Sequence, residues 1–390
     1  MRRLTLLGAT GSIGTSAADV ITSTPNRFAV HAVTANSNGA KLAATARRLR
    51  ARRAVVADEA SFGVLRDDLF GSGISPGAGV GAMEDAAAEP VDMVLSAIVG
   101  AAGLRATAAA VQAGSAIALA NKECLICAGS AFMALARRHN VRVLPVDSEH
   151  NALYQLIDGR DPVDIRAYTL TASGGPFRTW PAARIAEATP EQAVAHPTWS
   201  MGAKISVDSA TLMNKGLELI EAHHLFALSP EKLDVLVHPQ SVVHALITFR
   251  DGSVHAEMGP ADMRRPIGYC LNWPERAREP VSTLDLAAVG KLDFEKPDAA
   301  RFPALAIAMD ALKRGAGAAT VLNAANEIAV EAFLARKIPF NAIPQIVEIA
   351  LTAAEAEGLL AEPDTIDEAL TLDALARRIA RADLKRRFAA

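Results

Sequence analysis

Short apolar runs alternate with amphipathic segments over residues 1–146 of the chain. The apolar runs occupy residues 4–7, 29–33, 54–57, 93–97, 116–119 and 141–146. The segments between them have helical periodicity, most clearly over residues 12–23, 40–51, 104–113 and 124–140. Nearly continuous apolar strands that alternate with helices are typical of a parallel sheet covered on both faces. The pattern therefore predicts an α/β domain over residues 1–146.

The pattern changes further along the chain. Residues 147–272 combine polar loops with alternating strands, of which 242–249 and 254–258 predict a β-hairpin. Residues 273–298 are rich in Pro, Glu and Arg, which indicates a linker. Residues 299–390 carry helical periodicity alone. We therefore expect an α+β domain, a linker and a C-terminal helical bundle after the first domain.

Composition limits the class of protein. The chain has 390 residues, of which 51% are hydrophobic and 21% are charged, so it can form stable cores. Its formal net charge is −3 and it has no basic block, so nucleic acid is not an expected partner. Three cysteines are too few for a disulfide framework. Since its apolar stretches are shorter than the roughly 20 residues of a membrane-spanning helix, we expect a cytoplasmic protein that does not bind membranes.

A glycine-rich turn follows the first predicted strand and opens the first predicted helix. Its sequence is Gly8-Ala9-Thr10-Gly11-Ser12-Ile13-Gly14. Glycines at this position let the backbone approach a pyrophosphate, which the free N–H groups of the helix start then bind. A plain glycine turn is the alternative. The place of the motif in a first strand–helix connection favours a dinucleotide and a Rossmann-like domain.

The end of the second predicted strand indicates which dinucleotide binds. An NAD site usually has Asp or Glu there, to hold the ribose 2′-hydroxyl. This chain instead has Asn36, Ser37 and Asn38. Because none of these repels a 2′-phosphate, NADPH is favoured. Lys41 is the nearest cation in the sequence.

Two carboxylates follow the last apolar run of the first domain. Asp147 and Glu149 are two residues apart, and in an extended chain their side chains project from the same side. At the carboxyl end of a parallel strand they would face the crevice where such sheets bind ligands. Hard oxygen ligands predict Mg²⁺ or Mn²⁺ in preference to zinc. A solvated acidic turn is the alternative.

Two segments of the middle domain are rich in small hydrogen-bond donors. Ser173 lies beside two glycines, in a segment that predicts an anion nest. Further along, Ser209, Asn214 and Lys215 offer a hydroxyl, an amide and an ammonium group, and Glu218 shares the face of Lys215 if the segment is helical. This mixture is typical of a phosphate site. A capped helix with a surface ion pair is the alternative.

A polar loop at 196–202 lies between these two segments. It begins at His196, ends at Gly202 and contains Trp199 and Met201. Large apolar side chains are costly to leave exposed. A lid that closes over a bound ligand would explain them, and so would a loop packed permanently on the core.

Taken together, these segments resemble the 1-deoxy-D-xylulose 5-phosphate reductoisomerase family. The matching stretches are 8–14, 120–123, 145–150, 173–178 and 196–218. The resemblance implies an enzyme that uses NADPH and a divalent cation to rearrange and reduce 1-deoxy-D-xylulose 5-phosphate. The product would be 2-C-methyl-D-erythritol 4-phosphate, in non-mevalonate isoprenoid precursor biosynthesis. The resemblance also implies a homodimer and Mg²⁺ or Mn²⁺ as the cation, with Co²⁺ as a further option.

The resemblance implies roles for individual residues. Those implied to bind NADPH are Thr10, Gly11, Ser12, Ile13, Asn121, Glu123 and Gly202. Those implied to bind the cation are Asp147, Glu149 and Glu218. Those implied to contact the substrate or take part in catalysis are Lys122, Ser148, Glu149, Ser173, His196, Ser209, Asn214, Lys215 and Glu218. Trp199 and Met201 would lie on the mobile loop.

One position departs from the family pattern. Members often carry a basic residue where this chain has Ser37, so neutral hydrogen bonds from Asn36, Ser37 and Asn38 would hold the 2′-phosphate. Two competing interpretations are an aldehyde dehydrogenase with a nucleophilic Cys124 or Cys127, and a catalytically silent NADP-binding sensor. Both would leave the predicted metal-binding carboxylates without a role.

Overall fold

The computed structural model describes residues 1–388, and the chain divides into two compact units. The first unit comprises Met1–Cys124, Phe132–Asn151 and Asp262–Thr283. The second unit comprises Leu125–Ala131, Ala152–Ala261 and the chain from Leu284 onward. The domain boundaries at 146, 272 and 298 were drawn from changes in sequence pattern, and they stay a prediction.

The first unit is built on a parallel sheet. Its strands are β1 (Arg2–Leu7), β2 (Phe28–Ala35), β3 (Arg53–Val56), β4 (Ser75–Ala78), β5 (Met93–Ser96), β6 (Ala116–Leu119) and β7 (Val143–Pro145). Among the described residues they form one sheet in the order β4-β3-β2-β1-β5-β6-β7, with every neighbouring pair parallel. The predicted α/β class is therefore confirmed. The sequence pattern missed β4 because it contains no apolar run.

Seven helices lie between the described strands of this sheet, and an eighth follows the last of them. They are α1 (Ser12–Ser23), α2 (Gly39–Leu49), α3 (Phe62–Leu69), α4 (Val80–Ala88), α5 (Ala102–Gln112), α6 (Glu123–Ile126), α7 (Gly129–Arg138) and α8 (Ser148–Ile157). The prediction of one continuous helix over 124–140 is wrong, since α6 and α7 replace it. The break lies at Cys127 and Ala128, directly before Gly129, and glycine disfavours the interior of a helix. The Cys127 carbonyl there accepts a hydrogen bond from Thr320 Oγ1 at 2.9 Å.

The second unit contains a mixed sheet. Between residues 158 and 261 this unit contains β8 (Ile165–Ala172), α9 (Ala182–Ala186), α10 (Pro190–Val194), α11 (Ala203–Thr211), α12 (Met213–Phe226), β9 (Leu233–Val237), β10 (Val243–Phe249) and β11 (Val254–Met258). The strand order is β11-β10-β8-β9; β8 and β9 are parallel and the other pairs antiparallel. The predicted hairpin is confirmed as β10 and β11.

The chain then returns once to the first unit before it completes the second. Helix α13 (Arg264–Asn272) belongs to the first unit, where Arg2 Nη1 donates to the Leu271 carbonyl at 2.6 Å. The later helices are α14 (Leu286–Val289), α15 (Pro303–Arg314), α16 (Ala316–Leu334), α17 (Ala342–Ala356) and α18 (Ile366–Phe388). The predicted helical character of this region is confirmed. None of the helices described is both long and apolar enough to cross a membrane.

Candidate active site

The glycine turn between β1 and α1 brings three pieces of backbone into close approach. Gly8 has a φ of +85°, and a side chain there would overlap the Ala97 carbonyl. A Cβ at Gly14 would lie 2.5 Å from backbone atoms of Ala9. Only glycine allows this geometry. Gly11 is exposed at the start of α1, where within the described chain no side chain caps the helix, so its first N–H groups fit a pyrophosphate.

Around this turn the other predicted nucleotide-binding residues lie as follows. Thr10 belongs to the turn itself, and Ser12 and Ile13 open α1. Exposed Asn36, Ser37 and Asn38 follow β2. The structure also brings a cation to the turn, because Lys41 Nζ donates to the Thr10 carbonyl at 2.7 Å. Lys41 reaches it from the first turn of α2, whose start Asn38 caps by accepting from the Lys41 N–H at 3.0 Å.

Asn121 and Glu123 form a fixed polar cluster after β6. Both side chains are buried, and Asn121 Nδ2 donates to Glu123 Oε2 at 2.8 Å. The same amide donates to the carbonyls of Ile98 and Gly100, at 2.6 and 3.0 Å. Asn121 therefore ties the loop after β5 to the loop after β6, at the carboxyl ends of two neighbouring strands. This is the edge at which parallel sheets bind ligands.

Asp147, Ser148 and Glu149 lie where β7 is followed by α8. The expectation of an extended chain here is wrong, since α8 begins at Ser148. Asp is a strong helix-capping residue, and Asp147 Oδ1 accepts from the Glu149 N–H at 3.3 Å. Lys122 Nζ donates to Asp147 Oδ2 at 2.6 Å, and Ser148 Oγ donates to Glu149 Oε2 at 2.5 Å. A hydroxyl, an ammonium group and two half-buried carboxylates thus lie together in the first unit.

Glu218 lies on α12 in the second unit. Its carboxylate is buried and accepts hydrogen bonds from Asn214 Nδ2 and Lys215 Nζ. The predicted helical spacing of Lys215 and Glu218 is confirmed, but the pair is buried, so the surface ion pair considered as an alternative is wrong. A buried carboxylate is stable only next to positive charge or several donors. The oxygen atoms of the Glu218 carboxylate are ligands of the type that hard divalent cations prefer.

The loop after β8 carries the predicted anion nest, and its binding of an anion stays a prediction. Gly174 and Gly175 both have positive φ, of +84° and +66°. A Cβ at Gly175 would lie 2.7 Å from the Ser209 carbonyl, so only glycine lets the loop lie against α11. Ser173 Oγ accepts from the Gly175 N–H at 3.2 Å. Ser173 and Ser209, which are far apart in sequence, therefore flank one close contact between the loop and α11.

His196 joins this group from the 196–202 loop. Its Nδ1 accepts from the N–H groups of Thr198 and Trp199, at 3.1 and 2.9 Å. Because Nδ1 is an acceptor, the proton of the neutral ring is on Nε2, which donates to Ser173 Oγ at 2.8 Å. Burial lowers the pKa of His196, which favours this neutral form. Ser173 accepts here and from Gly175, so its own hydroxyl proton can be donated to a ligand.

The rest of the loop leads into α11. The Trp199 ring is half-buried and lies 6.4 Å from the ring of His244. Met201 is half-buried, and exposed Gly202 directly precedes α11. The mobility of the loop stays a prediction. Sequence reasoning missed Asp208, which is buried on α11 and bonded to both Lys204 and Asn326.

The structure does not favour a cysteine nucleophile. Cys124, Cys127 and Cys270 are buried thiols that form no disulfide. Burial raises the pKa of the Cys270 thiol. Reactive cysteines are typically accessible and have a lowered pKa.

The fold and these side chains define a class of protein. A parallel sheet with a glycine turn at its first strand–helix connection, clustered carboxylates and a glycine loop beside two serines are features typical of oxidoreductases that act on phosphorylated substrates. Three family models match the chain: 1-deoxy-D-xylulose 5-phosphate reductoisomerase over residues 4–129, its C-terminal domain over 143–226, and the DXP reductoisomerase C-terminal domain over 258–379.

Similar proteins agree with these matches. The chain is 53% identical over 380 residues to the 1-deoxy-D-xylulose 5-phosphate reductoisomerase of Nitrobacter hamburgensis, which covers 97% of this chain and 93% of that protein. A structure of the Zymomonas mobilis enzyme in complex with NADPH is 47% identical, with a TM-score of 0.91 over 98% of this chain and 99% of that one. A DOX-P reductoisomerase structure with NADPH, fosmidomycin and magnesium is 41% identical, with a TM-score of 0.93 over 99% and 98%.

The chain therefore belongs to the 1-deoxy-D-xylulose 5-phosphate reductoisomerase family. The family resemblance inferred from the sequence motifs is confirmed. The chain is an enzyme that converts 1-deoxy-D-xylulose 5-phosphate into 2-C-methyl-D-erythritol 4-phosphate in isoprenoid precursor biosynthesis. The alternatives of an aldehyde dehydrogenase and of a silent sensor are thereby excluded.

Proposed function

We propose that this chain carries out its reaction with NADPH and Mg²⁺ or Mn²⁺, through the residues described above. The observation that carries the assignment is the close packing of Gly175 against Ser209, with Ser173 and neutral His196 beside it. This packing supports the proposal because backbone amides and hydroxyls grouped in this way are the donors by which proteins bind a phosphate.

The dinucleotide would bind at the glycine turn. NADPH supplies the hydride for the reduction. The first N–H groups of α1, at Ser12 and Ile13, would hold its pyrophosphate together with Thr10 and Gly11. Asn121 and Glu123 would lie near the nicotinamide half, and Gly202 would close over it. Asn36, Ser37 and Asn38 would contact the 2′-phosphate, and Lys41 adds the positive charge that Ser37 does not provide.

A divalent cation would bind to Asp147, Glu149 and Glu218. The support for this proposal is their chemistry, since all three offer carboxylate oxygens that are half-buried or buried. When bound, such an ion polarises a carbonyl and orients the hydroxyl next to it. Lys122 and Ser148 would contact the same end of the substrate. Lys122 already holds Asp147 in place at 2.6 Å.

The phosphate end of the substrate would bind in the second unit. Ser173 and Ser209 would donate their hydroxyl protons, and Asn214 and Lys215 would contribute an amide and an ammonium group. His196 would orient Ser173 through its Nε2–H. Closure of the loop with Trp199 and Met201 would exclude water from the reacting carbon atoms.

Assembly and location are further proposals. A homodimer is expected from the family, and a cytoplasmic location from the low cysteine content. Light scattering on the purified protein would test the first, since a mass near twice 40.9 kDa is expected. A monomer at micromolar concentration would contradict it.

The activity itself is tested by the loss of NADPH absorbance. Purified protein is mixed with 1-deoxy-D-xylulose 5-phosphate and NADPH, with Mn²⁺ present or chelated. Oxidation that requires the metal is expected, with little oxidation of NADH. Binding of NADPH without any oxidation, in the presence of substrate and metal, would contradict the proposal.

A further inference from the structure

Asp208 is a buried charged residue to which the proposed function gives no role. It lies on α11, directly before Ser209, and only 1% of it is exposed. Its Oδ2 is 2.9 Å from Lys204 Nζ, one helical turn earlier. Its Oδ1 accepts from Asn326 Nδ2 at 2.7 Å. Since a buried carboxylate is costly unless it is paired and hydrogen-bonded, both contacts are needed to keep it there.

Helix α11 has few other constraints at its ends. It begins after Gly202, where the 196–202 loop stops, and no described side chain caps it. It ends at Leu212, whose left-handed conformation, with a φ of +63°, turns the chain into α12. The rotation of α11 about its axis is therefore set by its buried side chains. Among these, Asp208 supplies a directional bond to Asn326, a fully buried residue on α16.

The orientation of α11 matters for the phosphate site. The Ser209 carbonyl oxygen lies so close to Gly175 that a side chain at position 175 would overlap it. A small rotation or shift of α11 would either press this backbone into the nest or draw Ser209 away from Ser173. Placement of binding groups to within a fraction of an ångström is what such a site requires.

We propose that Asp208 is a positioning residue for substrate phosphate binding. Through Lys204 and Asn326 it fixes α11, so that Ser209 and the Gly175 nest keep their relative places. Asp208 acts through these groups and does not itself contact the phosphate. The inference rests on the proposed function of this site. It adds Asp208 to the residues that determine substrate affinity, and through Asn326 it extends that influence to α16.

The test compares two variants with a matched control. Asp208→Asn keeps the size and the bond from Asn326 but removes the charge that pairs with Lys204. Asn326→Leu removes the donor on α16 instead. The control is Asp373→Asn, because Asp373 is also buried in this unit and paired, with Arg377 on α18 at 2.7 Å, but does not lie on α11. All three are expected to lower the melting temperature.

Only the first two variants should change phosphate binding. The KM for 1-deoxy-D-xylulose 5-phosphate and the inhibition constant of inorganic phosphate should each rise by about tenfold, because displaced binding groups hold the phosphate less tightly. Their kcat and KM for NADPH, and all constants of Asp373→Asn, should stay within about threefold of wild type, since those interactions are made elsewhere.

Three results would count against the inference in different ways. Wild-type turnover with unchanged KM and inhibition constant in Asp208→Asn and Asn326→Leu would show that Asp208 only stabilises the fold. A rise in KM of the same size in Asp373→Asn would show the same, because loss of stability alone would then suffice. A wild-type protein without turnover would instead remove the proposed function, and this inference with it.

Discussion

Replacing Gly14 by alanine should separate the glycine turn from α1. The new Cβ would lie 2.5 Å from the Cα and carbonyl carbon of Ala9 and from the Gly8 carbonyl oxygen. Ordinary van der Waals contact begins near 3.4 Å, so the overlap is about 0.9 Å. All three contacting atoms belong to the backbone, and no side-chain rotation can relieve them. Helix α1 must therefore move relative to the turn.

The expected cost follows from this overlap. Overpacking of a filled site costs about 1–3 kcal/mol. Because each kcal/mol lowers the melting temperature of a large domain by roughly 2–4 °C, a fall of about 2–12 °C is expected. A shift of about 1 Å at the start of α1 also moves the N–H groups that would hold the pyrophosphate, so NADPH should bind at least about tenfold more weakly.

Gly11 provides the matched control at the same helix start. A Cβ there would approach only the Gly8 carbonyl oxygen, at 3.5 Å, and the φ of Gly11 is −74°. Gly11→Ala should therefore melt at the wild-type temperature. Thermal denaturation and titration with NADPH, followed by fluorescence, measure both effects. The reasoning would be refuted if Gly14→Ala matched the wild type in both assays, or if Gly11→Ala destabilised the protein equally.

Three further predictions concern ionisable residues. Glu218→Gln should lower metal-dependent NADPH oxidation by at least about 100-fold, with NADPH affinity unchanged. Normal turnover of this variant would show that Glu218 is not a metal ligand. Because burial lowers the pKa of His196, its bonds should persist above pH 6.5 and be lost as pH falls through that lowered value. The substrate KM should rise over that range in wild type and much less in His196→Gln; identical profiles would contradict this. Burial raises the pKa of Glu279 to about 7. The free energy of unfolding should therefore decrease as the pH rises from about 4.5 to 7, because over that range only the unfolded chain loses the proton. Glu279→Gln should melt higher than wild type at pH 8 but not at pH 4, and equal melting at both would refute the assignment.

The sequence was a reliable guide where local pattern determines structure. Strands such as β6 and helices such as α1 have the predicted bounds. Apolar runs and helical periodicity predict them well because both are patterns of residues close together in the sequence. Strand β4 was missed since it reads Ser-Pro-Gly-Ala. Proline and glycine weaken a strand in the interior of a sheet, but β4 lies at an edge, where both are tolerated.

The residue types of the site were also predictable, whereas their contacts were not. The start of α8 at Ser148 had a local signal, because Asp147 is a preferred helix cap. The contact between Lys41 and Thr10, and that between Asp208 and Asn326, join residues far apart in sequence. Such pairs are determined by how helices pack, which neither composition nor periodicity specifies.

The pairing of carboxylates with lysines predicts that binding of the proposed metal ion and binding of the substrate are coupled. Within the first unit Asp147 accepts from Lys122, and within the second Glu218 accepts from Lys215. A divalent cation bound as proposed would compete with each ammonium group for the same carboxylate oxygens. Lys122 and Lys215 would then become available to the substrate.

Binding of the cation should therefore strengthen phosphate binding, and by linkage phosphate should strengthen cation binding equally. Calorimetric titration of inorganic phosphate into the protein with NADPH should give a higher affinity with Mg²⁺ than with a chelator. Lys215→Gln should weaken phosphate binding and also reduce the effect of Mg²⁺, since the released ammonium group is the link between the two sites. Equal phosphate affinity with and without Mg²⁺ in the wild type would show that Lys215 stays on Glu218, and that the two ligands bind independently.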